Sequence, residues 1–367
     1  MIKKETVSGS QLVFTVVCYI ESFSLITGFS FSVAGRDTWF AVITGAAVAA
    51  LIFWMQLWVA KQFPGKDLMA INNCLFGKVW GRVFSILYLF YFLTLSSLNL
   101  RDMSDFVRSS ILPDTPGVIA MLTFIAVCAW AVTKGMRVVL RYSTAFSILT
   151  FCALALTSIF IWGRMDWHNF LPVLDTPPIK LVQDTHLMSV IPFGTIVYQM
   201  IYCSAEEPKH AEKRLMKGFL LGGVFLLMVI LRDTAVFGDM VSVLTIPSYA
   251  TLRLAGFTEA FQGIDVVYAT LLTLLEFFKI SFLYYVVAVG TAEVLGLESY
   301  KPLVYTFGVL IVLYARILYP SMTAHNLSAQ TTVPFIWTFF ELVLPFISLL
   351  RLLAMRRKEK KKGESAA

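Results

Sequence analysis

The sequence predicts an all-α membrane protein of about ten transmembrane helices, in two inverted five-helix repeats with helices one and six broken. Three observations predict this. The 367 residues are 58% hydrophobic and only 14% charged, against roughly 45–50% and 25% in an ordinary soluble domain. Mean hydropathy is +0.75, so lipid is the main solvent. Ten apolar segments are long enough to cross a hydrocarbon core of ~30 Å at about 1.5 Å per residue. Segments one and six, five apart, both carry residues that interrupt a helix, which is the pattern inverted repeats produce. The two halves share no evident sequence identity.

Residues 1–10 are short and polar. The apolar run after them is too long for a signal peptide and lacks a small-residue cleavage pattern, so it is expected to be retained as a span. Predicted spans cover residues 11–34, 38–60, 79–100, 117–133, 142–163, 187–205, 218–238, 264–290, 302–320 and 333–353. Helices are required because unpaired backbone groups in hydrocarbon cost several kcal/mol each. The domain reading is a cytoplasmic N-terminus (1–10), a first repeat (11–163), an extracellular-side loop (164–186), a second repeat (187–353) and a basic cytoplasmic tail (354–367). A second outer loop, 239–263, is expected to hold a short helix near Ile246-Pro-Ser-Tyr249.

The net charge of +7 raises the possibility of a nucleic-acid partner, but the basic residues cluster between apolar runs. One side of the predicted topology carries Lys3, Lys4, Lys61, Lys66, Lys78, Arg82, Lys134, Arg137, Arg141, Lys209, Lys213, Arg214, Lys217 and Lys301, besides the tail. The other carries only Arg36, Arg108, Arg164, Lys180 and Arg253. The positive-inside bias therefore places both termini in the cytoplasm, and the partner implied is a lipid bilayer, not nucleic acid. Cysteine spacing gives no metal site or disulfide framework. No zinc-protease, nucleophile-elbow or phosphate-loop motif is present, so neither an enzyme nor a cofactor is expected.

Ionisable residues inside spans carry the most information, because each is costly unless paired or hydrated. In span one, Glu21 is followed by Ser22, Ser24, Thr27 and Gly28, groups that unwind a helix or hydrogen-bond a ligand. Glu21 is either a carboxyl bonded to a neighbouring helix, the partner of a ligand amine, or a proton-coupling site. In span six, Pro192, Phe193 and Gly194 remove a donor and loosen the helix, and Tyr198 follows; the plain alternative is a packing kink. Span eight carries Glu276 and Lys279 on one face, either a structural ion pair or part of a site. Arg101 with Asp105, at i, i+4, reads as an interfacial pair or a gate. Arg232, Asp233, Arg316 and Glu341 stay ambiguous, and the four histidines are expected outside the spans.

Short motifs then recur in order along the chain: Gly35-Arg-Asp-Thr-Trp39, Phe63-Pro-Gly-Lys66, Phe76-Gly-Lys-Val-Trp-Gly81, Leu112-Pro-Asp-Thr-Pro116, Lys134-Gly-Met-Arg137 with Arg141, Asn169-Phe-Leu-Pro-Val173 and Pro192-Phe-Gly194. In these the sequence resembles the spore-germination permease family, the B subunits of germinant receptors, from about Ser8 to Leu353. The resemblance implies the fold of amino acid/polyamine/organocation transporters and a location in the spore inner membrane. It further implies a small-molecule germinant, often an amino acid, bound among spans one, three, six and eight, with receptor A and C subunits as partners. Many members of that family carry a glycine-rich, proline-ended break in span one. Here Glu21-Ser-Phe-Ser-Leu-Ile-Thr-Gly28 stands instead, which favours a cationic or hydroxyl-bearing solute.

Overall fold

A computed structural model describes residues 5–255 and 264–366. Lys3 and Lys4 of the charge reading, and part of the predicted 239–263 loop, lie outside the described residues.

The first span begins at α1 (Gly9–Glu21). Ser8 starts it with a reciprocal cap, its Oγ accepting from the Gln11 N–H at 3.4 Å while the Gln11 side chain accepts from the Ser8 N–H at 3.0 Å. After Glu21 the helix fails. Ser22 turns its hydroxyl back onto the Tyr19 carbonyl at 2.8 Å, the local bond by which serine competes with a helix. Ser22–Leu25 tightens into a 3₁₀ turn, Ile26 leaves helical geometry (φ −118°, ψ 20°), and α2 (Gly28–Ala34) resumes the span.

Next come α3 (Thr38–Lys61) and α4 (Leu68–Phe106), which is kinked at Gly77 (φ 78°, ψ 179°). The kink separates the amphipathic start of α4 from the third span. Helices α5 (Gly117–Thr133) and α6 (Met136–Phe160) complete the first half. The sixth span starts nine residues ahead of its predicted beginning, with α7 (Pro178–Val190), because Pro178 supplies a ready-made first turn. Residues 191–195 are non-helical, and a 3₁₀ turn (Ile196–Tyr198) and α8 (Gln199–Tyr202) continue it.

Helix α9 (Pro208–Phe237) carries the seventh span, α10 (Pro247–Ala255) is the short helix expected between spans, and α11 (Ile264–Leu295) is the eighth. Helix α12 (Lys301–Ile317) turns by 92° into α13 (Met322–Thr331). The last span is α14 (Val333–Thr338), a π-helical turn (Phe339–Val343) and α15 (Leu344–Ala366).

Among the described residues six helices are long and apolar enough to cross a membrane, seven if the bent α12–α13 pair counts as one. The figure of ten is not reached by that measure. The first and sixth spans are cut into short pieces, and the α5 segment has only 17 residues. Apolar side chains such as Leu51, Val79, Ile159, Ile317 and Phe335 point away from the protein, as a lipid-facing surface requires. Inside, α1 packs on α9 and α6, and α11 on α4.

Two ties hold the ends of the bundle. On the terminus side, Val7 pairs with the chain beyond α8, its N–H donating to the Ser204 carbonyl at 2.7 Å and its carbonyl accepting from Glu206 at 2.9 Å. There Glu5 also accepts from the Arg137 N–H at 2.7 Å, at the start of α6. On the opposite side, the buried Asp37 carboxylate accepts the N–H groups of Leu174 (2.9 Å) and Thr176 (3.0 Å). Arg36 beside it bonds the Leu171 carbonyl and Asp239. The Gly35-Arg-Asp-Thr-Trp39 motif is therefore a clamp for the long loop that precedes α7.

Candidate functional site

The polar residues picked out in span one all gather at its break, and all are buried. Glu21 is fully enclosed. Its Oε2 accepts from the Thr150 hydroxyl of α6 at 3.0 Å, while Oε1 has no hydrogen-bond partner. The hydroxyls of Ser24 and Thr27 are also buried without a partner. Gly28 is needed for contact: a Cβ there would lie 2.4 Å from the Thr245 carbonyl oxygen, so the strand of chain between α9 and α10 lies directly on the break. Two residues further on, the Ser30 hydroxyl reaches both oxygens of buried Asp184 at 2.6 and 2.7 Å, joining α2 to α7.

In span eight, Glu276 is buried with both carboxylate oxygens unpartnered. The ion pair that the spacing allows is not closed: among the described residues Lys279 has no carboxylate within salt-bridge distance. Its ammonium instead stands 4.9 Å from the centroid of the Tyr19 ring, over an aromatic face that attracts it. Electrostatically Lys279 still faces Glu276 and Asp102. Tyr19 meets Tyr198 edge-on at 5.7 Å, and Tyr198 lies between Phe53 and Phe282 with its hydroxyl unpartnered. Spans one, six and eight thus meet at the Tyr19–Tyr198–Lys279 contact. Phe193 packs on Phe219 of α9, and Pro192 and Gly194 lie in the second break.

That second break has an occupant which the sequence reading left undecided. Glu341, in the π-helical turn of the last span, accepts the N–H groups of Thr195 (2.7 Å) and Ile196 (3.0 Å) and the Tyr91 hydroxyl (2.9 Å). Gln56 of α3 joins it through three bonds, to the Glu341 carbonyl (2.8 Å), from the Thr195 hydroxyl (2.8 Å) and from the Gln199 amide (2.9 Å). The only signal in the sequence was a lone acid in an apolar run.

Two pairs singled out in the sequence close as ionic contacts. Arg101 donates to Asp105 at 2.9 Å. Arg232 binds Asp233 at 2.8 Å, and Asp233 also accepts from Ser248 and Thr251 of α10. His325 is buried on α13, 3.3 Å from Asp102, and His186 lies within α7 of the sixth span, which corrects the expectation that all histidines lie clear of the spans. The 92° bend carries His325 inward, stacked on Tyr319 and edge-on to Phe29.

A cavity of about 630 Å³ opens on the terminus side, lined by Lys66, Asn73, Met200, Ser204, Tyr285 and Val289 among others. Its wall includes Met200 and Ile201 of α8 and Tyr285, Val286 and Val289 of α11. On the opposite side Leu25, Ile26 and Phe29 are covered by Phe106, Ile246 and Met322, leaving only about 20 Å³. Neither of these two cavities is lined by Glu21, Glu276 or Lys279, which are buried among the helices.

Solved structures share this architecture. A Na⁺-coupled sialic acid symporter in a substrate-bound outward-open state superposes with a TM-score of 0.67 at 12% identity, covering 89% of this chain and 77% of the symporter. MhsT in complex with L-phenylalanine gives 0.65 at 11%, covering 95% and 89%. A nucleobase-cation-symport-1 family transporter in a closed conformation gives 0.64 at 11%, covering 93% and 79%. These likenesses establish the fold. In sequence, the chain is 26% identical to spore germination protein KB of Bacillus subtilis (strain 168) over 99% of both chains. It is 25% identical to spore germination protein YndE of the same organism over 89% of both. The family profile described as spore germination protein matches residues 6–323. The chain is a membrane protein of the spore germination permease family.

Proposed function

We propose that this chain is the membrane subunit of a spore germinant receptor, which binds a small germinant in its central chamber and passes the event on as a change in conformational population. The observation that carries the reading is the set of buried acids with incomplete hydrogen bonding, Glu276 at both oxygens and Glu21 at one. Buried carboxylates are costly unless paired or hydrated, and the cation of Lys279, three residues after Glu276 on the same helix, stands over the Tyr19 ring of the first span. The recognition set is Glu21, Ser22, Ser24, Thr27 and Gly28 of the first break, Pro192, Phe193, Gly194 and Tyr198 of the second, and Glu276 with Lys279 of span eight. A solute carrying an amine or several hydroxyls satisfies the acids, and Lys279 takes an anionic or carbonyl group.

In this reading the receptor's A and C subunits receive the signal, the bilayer is the spore inner membrane, and both termini are cytoplasmic. Deleting the chain in its spore-forming host is expected to abolish germination toward one class of germinant, with rescue only when A and C subunits are present. Rescue by the chain alone would refute the receptor assignment. A second reading, a proton- or sodium-coupled amino acid or amine transporter, draws support from the symporter fold. Accumulation of labelled solute by proteoliposomes containing only this chain would select it.

A further inference from the structure

We propose that Glu341 is a positioning residue, a built-in anion that fills the break of the sixth span, holds it open, and keeps its freed N–H groups from any carboxylate the solute carries. Breaking a helix strands backbone donors, and in hydrocarbon each must find a partner. Here Thr195 and Ile196 direct two such donors at one side-chain oxygen, and the Tyr91 hydroxyl holds the other. Charge-assisted bonds of this kind are about twice as strong as neutral ones.

Three features of the chain serve this contact. The π-helical turn Phe339–Val343 sets Glu341 on the inner face of the last span, a local widening that recurs at functional positions. Tyr91 is stacked flat on Phe340 at 4.5 Å and edge-on to Trp337 at 5.2 Å, which fixes its hydroxyl. At Gly194 a Cβ would come within 3.1 Å of the Glu341 Oε1 and 3.0 Å of the Val190 carbonyl. The glycine of the Pro192-Phe-Gly194 motif is therefore the opening through which the carboxylate enters. Gln56 bonds Thr195, Gln199 and the Glu341 backbone together, so spans two, three, six and ten share one polar knot. The second break is already satisfied from within. At this break solute recognition consequently falls to side chains such as Tyr198, whose hydroxyl has no partner, and not to the freed N–H groups.

The test uses the full chain purified in detergent and needs no germinant, so its outcome is independent of the receptor assignment. Glu341→Ala removes the atoms of one acetate ion. The variant is expected to lose about 5 °C or more in Tm. Acetate at 0.1 M should restore at least half of that loss, acetamide should not, and the wild-type protein should respond to neither. Equal shifts in variant and wild type, or rescue by acetamide, would overturn the proposal. Glu341→Gln keeps the shape and serves should the alanine variant not fold. Amide hydrogen exchange at Thr195 and Ile196 should then rise about tenfold, as expected on losing a charged acceptor. Unchanged exchange there would equally overturn it.

Discussion

Gly28 sits under two peptide carbonyls: the nearest atoms a Cβ would meet are the carbonyl oxygens of Thr245 and Leu244, at 2.4 and 2.9 Å. Backbone cannot step aside as a side chain can, so Gly28→Ala should destabilise the protein by about 1–3 kcal/mol, read as a lowered Tm. Glu21 invites the opposite kind of change. Its Oε1 has no partner, so Glu21→Gln should leave Tm within a few degrees while raising the germinant concentration for half-maximal germination tenfold or more. An unchanged dose response would remove Glu21 from the recognition set. The positions of Glu21 and Pro192 at helix breaks were legible because an acid or a proline in an apolar run has few explanations. What Glu341 does was not, since its partners Thr195 and Ile196 lie some 145 residues away in sequence, and nothing local points to them.

At the level of elements, both helix breaks could be read because their causes are local: hydroxyls that bond back onto the helix after Glu21, and a proline followed by glycine in span six. The 92° turn between α12 and α13 was not, because it depends on tertiary partners, and the start of α7 had a local signal in Pro178 that lay in a segment read as loop. Asp37 gathers the loop before α7. His325 meets Asp102 across the bundle. Asp37→Ala should release that loop and cost about 1–3 kcal/mol, since it strands two backbone donors. Protease cleavage between residues 164 and 178 should appear in the variant and be absent from the wild type. His325→Ala should loosen α13 in the same way, seen as faster hydrogen exchange across Met322–Thr331 than across α12.

At the scale of the whole molecule, a cavity of about 630 Å³ opens on the terminus side, while the space beside Phe29 amounts to about 20 Å³. With the five native cysteines replaced, a cysteine at Asn73 or Val289 should react with a membrane-impermeant thiol reagent added from the side that bears the C-terminus. One at Phe29 should stay unlabelled from either side. Reactivity at Phe29 equal to that at Val289 would contradict this difference in access. The pairing of Val7 with Ser204 and Glu206 has a further consequence, for biogenesis. A ribosome releases Val7 long before it has polymerised its partners, so the leading segment must stay undocked while five spans enter the bilayer. Only after α8 emerges is that edge stitched shut, which makes the joining of the chain's beginning to its middle a checkpoint late in assembly.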